Sequence, residues 1–183
     1  MSTTYLFLAP GFEEIEALTP VDLLRRAGVD VQTVAVGETR YVTGAHVVTV
    51  EADLLLADED MTEAEMLIAP GGMPGAQNLY ESPQVRRLFE RQAERGAHVA
   101  AICAAPAVLL AQIGVLSGKK ATCYPGFEKM LKDGDATYIN ERVVTDGNII
   151  TANGPSSAMP FALALVEALR PGESAKVAAG LLC

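Results

Sequence analysis

Short apolar runs alternate along the chain with amphipathic stretches, and the two kinds follow one another from end to end. Residues 5–10 form the first apolar run and read as a strand. Residues 14–27 carry apolar positions at helical spacing and stop at Gly28, a residue suited to the left-handed turn that closes helices. Residues 29–36 read as a second strand and residues 45–50 as a third, shorter and partly polar. Residues 66–70 form a buried strand closed by Gly71-Gly72. A helix is predicted over 82–95, with Ser82 as N-cap, Pro83 at the first helical position and Gly96 beyond its end. Residues 98–102 are another apolar strand and lead into a helix over 104–113. Residues 121–124, 137–139, 142–145 and 148–152 are further strand candidates, the last two joined by the hairpin pair Asp146-Gly147. A long helix is predicted over 156–169, before Pro171-Gly172, and a short final one over 173–181.

Strand and helix in alternation, with nearly continuous apolar strands, predict a mostly parallel sheet covered on both faces. No repeat, linker or low-complexity segment interrupts it, so 183 residues read as one domain over 1–183. Half the residues are apolar, too many for a disordered chain. A net charge of -9, spread along the chain, speaks against nucleic-acid binding because no basic patch is at hand to neutralise phosphates. No apolar stretch is long enough to span a bilayer. Residues 1–4 lack a basic export region, so a cytoplasmic location is expected. Three cysteines, Cys103, Cys123 and Cys183, do not suggest a disulfide framework. With His46 and His98 as the only histidines and no CxxC, no zinc site is expected.

Ligands of open α/β sheets gather at the carboxyl ends of the strands, and three such ends carry candidate chemistry. The run 98–102 ends in Cys103, and the small residues Ala104 and Ala105 then turn the chain into a helix. This is the strand–turn–helix arrangement of a nucleophile elbow, without the glycines of the hydrolase version. A cysteine there lies beside free helix N–H groups, which favour thiolate and lower its pKa; the alternative is a buried structural cysteine. On the first helix, Asp22, Arg25 and Arg26 cluster on one side, whereas Glu16 falls on the side shared with Pro20, Leu23 and Ala27. An inward carboxylate is costly unless paired or protonated, so Glu16 suits proton transfer; the alternative is a strand-edge or capping contact. Glu13 and Glu14 read as first-turn acids that complement the helix dipole. Gly71 and Gly72 allow backbone N–H groups to form an anion nest, or merely a tight turn. Residues 153–157, with Gly154 and Pro155, either line the same pocket or place a serine as N-cap.

Together these strings resemble the ThiJ/PfpI superfamily, and within it the Parkinson-protein (DJ-one) branch. The matching runs are 9–16, 20–28, Pro70-Gly71-Gly72, 75–79, 100–106 and 161–169, in order over essentially the whole chain. The resemblance implies a flavodoxin-like three-layer α/β sandwich and a homodimer. It implies that Cys103 is the reactive, oxidisable cysteine, that Glu16 is the protonated acid beside it, and that the amides of Gly72 and Ala104 form the anion pocket. It implies no cofactor and no metal. Implied activities are glyoxalase action on methylglyoxal and deglycation of protein or nucleotide, with a small aldehyde or glycated adduct as partner, or else oxidative-stress sensing or redox-chaperone action through a Cys103 sulfinate without turnover. Two positions depart from relatives. The protease branch has a His directly after its cysteine, where this chain has Ala104, so no Cys–His dyad arises there and peptidase activity is not expected. His98 lies five positions earlier and points away by strand alternation. Animal members carry a His before a Pro near the pocket, where this chain has Tyr124-Pro125.

Overall fold

Four apolar strands form the centre of the molecule because their side chains are buried on both faces, as in parallel sheets shielded by helices. The computed structural model describes residues 3–58 and 60–183. Met1, Ser2 and Glu59 lie outside the described residues, as do the parts of the expected 1–183 domain and of the 1–4 reading that fall on them.

In chain order the elements are β1 (Thr4–Leu8), α1 (Glu14–Arg26), β2 (Val31–Ala35), β3 (Tyr41–Thr43), β4 (Thr49–Glu51), β5 (Leu54–Leu55) and β6 (Met66–Ala69). Next come α2 (Gly75–Glu81), α3 (Pro83–Glu94), β7 (His98–Ile102), β8 (Lys120–Ala121), α4 (Glu128–Asp133) and β9 (Thr137–Tyr138). The chain closes with β10 (Val143–Asp146), β11 (Ile149–Ala152), α5 (Ala158–Leu169) and α6 (Ser174–Gly180). A seven-stranded sheet runs β10-β11-β7-β6-β1-β2-β5. It is parallel except for β10, which returns antiparallel on β11. Helices α1 and α5 pack together against the sheet, and α2 packs on α3 and on a short helix over Pro106–Ala111. This is the expected α/β sandwich. At its centre the Phe7 and Phe89 rings meet at 5.4 Å between centroids, both fully buried.

Along the parallel strands the order is β2-β1-β6-β7-β11. The chain reverses direction across the sheet between β1 and β6, and a crevice opens at the carboxyl ends beside such a switch. The segments leaving β1, β6 and β7 carry Glu16, Gly71-Gly72 and Cys103.

Several elements differ from the sequence expectation. Residues 45–50 are not one strand: β3 and β4 form a hairpin whose turn spans 44–48. The amides of His46 and Val48 donate to the Glu14 side chain on α1, so they are not available to a strand partner. The helix expected over 104–113 is a wider, π-type helix over Pro106–Ala111, where Pro106 lacks the N–H of a regular first turn. Helices α2 and α4 and strand β5 were not foreseen; each is short, and α2 begins inside the glycine- and proline-rich run 70–75, which reads as turn. The β10–β11 hairpin forms, but its two-residue loop is Gly147-Asn148, one position later than the expected Asp146-Gly147, because Asp146 pairs with Ile149 as the last residue of β10.

Candidate functional site

Helix α1 follows the expected wheel. Asp22, Arg25 and Arg26 are exposed, whereas Glu16, Pro20 and Leu23 are buried. Glu16 is wholly buried, 0% exposed. Its Oε2 accepts the Gly71 N–H at 2.9 Å. Its Oε1 has no hydrogen-bond partner among the described residues, and the neighbouring Cys103 thiol is the side chain that favours its charged form. Loss of water on burial pushes Glu16 up to about 7, against the weaker pull of Cys103 and the Gly71 amide, and the nearby Glu13 charge adds to the rise.

Cys103 sits at φ 67, a left-handed conformation that costs a non-glycine residue on the order of 1–3 kcal/mol. Two backbone bonds hold it there. Its N–H donates to Ala152 O at 2.9 Å, and its C=O accepts the Tyr124 N–H at 2.7 Å. The elbow is thus pinned by β11 on one side and by residue 124 on the other. Gly71 allows the acid and the thiol to meet: a Cβ at Gly71 would lie 2.5 Å from Cys103 Cβ and 2.5 Å from Glu16 Oε2. Gly72 is needed for a different reason. At φ 87 its position faces the backbone of Gly11, Phe12 and Glu13, which leaves no room for a side chain.

Two expectations are corrected here. The thiol is not made acidic by its helix terminus. Burial pushes Cys103 up to about 12, and the adjacent Glu16 charge pushes in the same direction. The amides of Gly72 and Ala104 pull it down without prevailing, because two partial charges do not replace a lost hydration shell. In addition, the Gly71 amide is committed to Glu16, so Gly72 and Ala104 are the amides facing the sulfur.

The other anticipated residues are placed as follows. Tyr124 is half-exposed, and its ring packs on Gly154, where a Cβ would meet it at 3.2 Å. Pro155 lines an open, mostly apolar groove of about 510 Å³ together with Glu13, Glu14, Ile15, His46 and Val48. No serine caps α5: Ser157 Oγ donates to Asn153 Oδ1 at 2.6 Å and accepts from Arg142 Nε at 3.2 Å instead. His98 opens β7 at the far end of the strand from Cys103, as expected. Cys123 is buried and Cys183 is exposed; neither joins Cys103 in a disulfide.

Sequence reasoning missed a second cluster at the start of α1. Glu14, expected only to complement the helix dipole, is nearly buried. Its Oε1 accepts the His46 N–H at 2.8 Å and the Val48 N–H at 3.4 Å, while Oε2 lies 2.9 Å from His46 Nδ1. Burial opposes its charge, but these bonds win and hold Glu14 below its usual range. Glu13 Oε2 lies 3.5 Å from the same Nδ1. His46 is raised by the Glu14 bond first and by the two negative charges after it. Among the described residues, Glu13, Glu14 and His46 are the set close enough together to share a metal ion.

The DJ-1/PfpI family model matches residues 2–168. The Parkinson disease protein 7 homolog of Danio rerio is 39% identical over 180 residues, covering 97% of this chain and 95% of that protein. The glutathione-independent glyoxalase DJR-1.2 of Caenorhabditis elegans is 34% identical over 171 residues, covering 93% and 90%. The structure of oxidized Toxoplasma gondii DJ-1 superposes with a TM-score of 0.94 at 37% identity, covering 100% of this chain and 98% of that one. The chain spans 36% and 46% of the lengths of two Arabidopsis thaliana relatives, DJ-1 homologs B and A, each 38% identical to it. No helix among the described residues is long and apolar enough to cross a membrane.

Proposed function

Because the chain belongs to the DJ-1/PfpI family, we propose that it is a cysteine-dependent, cofactor-independent enzyme that converts reactive dicarbonyls, methylglyoxal to lactate in the first instance. The observation that carries this reading is the buried Glu16 carboxyl, one oxygen fixed by Gly71 and the other without an N–H or O–H partner, set against Cys103 on a strained elbow. The glyoxalase name of the C. elegans relative supports the same chemistry.

Glu16 is the proton carrier and Cys103 the nucleophile. The Glu16 charge is one reason the thiol is weakly acidic, so a proton moving from sulfur to carboxylate removes that obstacle and creates the attacking thiolate. The sulfur adds to the aldehyde carbon of methylglyoxal, and the amides of Gly72 and Ala104 hold the alkoxide that forms. Glu16 protonates this oxygen, giving a hemithioacetal. It then takes the proton from the former aldehyde carbon, giving an enediol as the ketone oxygen picks up a proton, and returns a proton to the neighbouring carbon while the hydroxyl on the sulfur-bearing carbon gives up its own to become the thioester carbonyl. The product is a lactoyl thioester on Cys103, and water releases lactate and regenerates the thiol.

Deglycation would begin with the same attack on a glycated adduct and end in hydrolysis. A homodimer and a cytoplasmic location go with this reading. A redox sensor would use the same sulfur as sulfinate, held by the Glu16 proton and the two amides. The reduced protein, exposed briefly to methylglyoxal, quenched and mapped by peptide mass spectrometry, is expected to carry the adduct on Cys103. An adduct confined to Cys123, Cys183 or lysines would remove Cys103 as the nucleophile.

A further inference from the structure

Beside the Cys103 crevice, three metal-ligating side chains converge from two separate parts of the chain. Glu13 and Glu14 begin α1, and His46 lies in the β3–β4 turn, 32 residues after Glu14. His46 Nδ1 stands 2.9 Å from Glu14 Oε2 and 3.5 Å from Glu13 Oε2. Donor atoms on a four-coordinate zinc at ~2.1 Å stand about 3.4 Å apart. A cation placed among the three would therefore need only a small opening of the Nδ1–Glu14 contact.

The donors are also held in advance. Glu14 keeps Oε1 on the amides of His46 and Val48, which fixes its rotamer and leaves Oε2 turned to the imidazole. The Glu13 backbone N–H donates to Gly71 O at 3.0 Å, which anchors it to the turn after β6. Both carboxylates are nearly buried, at 13% and 11% side-chain exposure. Two acids so placed repel each other, and among the described residues His46 is the one basic group within ion-pair distance of either. The groove that all three line leaves room for a fourth donor from solvent.

We propose that His46 Nδ1 and the carboxylates of Glu13 and Glu14 bind one divalent first-row transition cation at the edge of the groove. One imidazole and two carboxylates suit Zn²⁺ or Co²⁺ and give no thiolate ligand. The sequence does not announce this site. Its two histidines, His46 and His98, stand in no short metal motif, and the fold alone brings 46 to 13 and 14.

Equilibrium dialysis of the full chain against Zn²⁺, and titration with Co²⁺ followed by visible absorption, test the proposal. The expected result is one ion per chain, with cobalt d–d bands and no thiolate charge-transfer band. Affinity should fall at least about tenfold in His46→Ala and in Glu13→Gln, and stay unchanged in Cys183→Ser. Both ligand variants leave the Glu14 bonds to the hairpin amides in place. His46→Cys guards against simple loosening of the turn, because it should restore binding and bring in the cobalt–thiolate band. Equal affinity in wild type and His46→Ala, binding that follows Cys183, or no binding by the wild type would overturn the proposal.

Discussion

Gly71 donates its backbone N–H to Glu16 Oε2 at 2.9 Å, joining residues 55 positions apart, and a Cβ on Gly71 would strike both that oxygen and Cys103 Cβ. One residue thus fixes the acid and leaves the gap through which acid and thiol meet. Adding a methyl there has nowhere to go, since Ile102 O stands 2.9 Å away on the third side. Gly71→Ala is expected to destabilise the fold by about 1–3 kcal/mol through overpacking. It should also separate Glu16 from Cys103. Urea unfolding and the initial rate of methylglyoxal consumption check both, and a variant with wild-type stability and rate would refute this account of the turn.

The raised pKa of Glu16 makes a statement about stability. In the unfolded chain a glutamate titrates near ~4.3, and in the fold Glu16 titrates at about 7. The folded state therefore binds the extra proton between these values, and stability falls as pH rises through that window. Glu16→Gln removes the titration while keeping a carbonyl oxygen for the Gly71 amide. It should match the wild type near about pH 4 and exceed it near about pH 8, by up to roughly 3 kcal/mol. Chemical denaturation of both proteins at the two pH values decides the matter; parallel pH dependence in the two would contradict it.

Glu14 secures the β3–β4 turn to α1 through the amides of His46 and Val48. Glu14→Ala leaves those amides without partners, at a cost on the order of 1–3 kcal/mol confined to the turn. Hydrogen–deuterium exchange should show faster exchange at residues 44–48 while β6 and β7 stay protected. The lowered pKa of Glu14 gives the wild-type contribution a sign: it is present above the usual glutamate range and lost as pH falls through the folded value.

Phe89 on α3 packs its ring against Phe7 on β1, and both are fully buried. Phe89→Ala should cost about 3–5 kcal/mol of global stability. Below its lowered melting temperature the variant should alkylate Cys103 at the wild-type rate, because neither ring belongs to the crevice. A selective change in Cys103 reactivity would mean that the core and the elbow are coupled.

The parallel core was legible because β6, β7 and β11 are nearly continuous apolar runs, the pattern of strands covered on both faces. Cys103 could be read from its place where such a run gives way to small residues, and Glu16 from its angle on the α1 wheel. What the sequence hid was non-local. Nothing in residues 45–50 says that the amides of His46 and Val48 belong to Glu14, so the sequence of the turn reads as a strand. Gly71 and Gly72 looked alike in a row, yet one bonds a carboxylate and the other faces the sulfur. The direction of the Cys103 shift is not legible for a related reason. A helix terminus is visible in sequence, whereas the depth of burial that overrides it is not.

The central claim is that Cys103 and Glu16 act as one unit with turnover. Lactate formation from methylglyoxal by the reduced protein, with no added thiol or cofactor, tests it most directly when wild type, Cys103→Ser and Glu16→Gln are run side by side. The account expects many turnovers from the wild type, none from Cys103→Ser, and a loss of at least about a hundredfold in kcat for Glu16→Gln, in keeping with removal of a general acid–base group. A wild type that traps the aldehyde once and stops, or a Glu16→Gln variant as fast as the wild type, would contradict it.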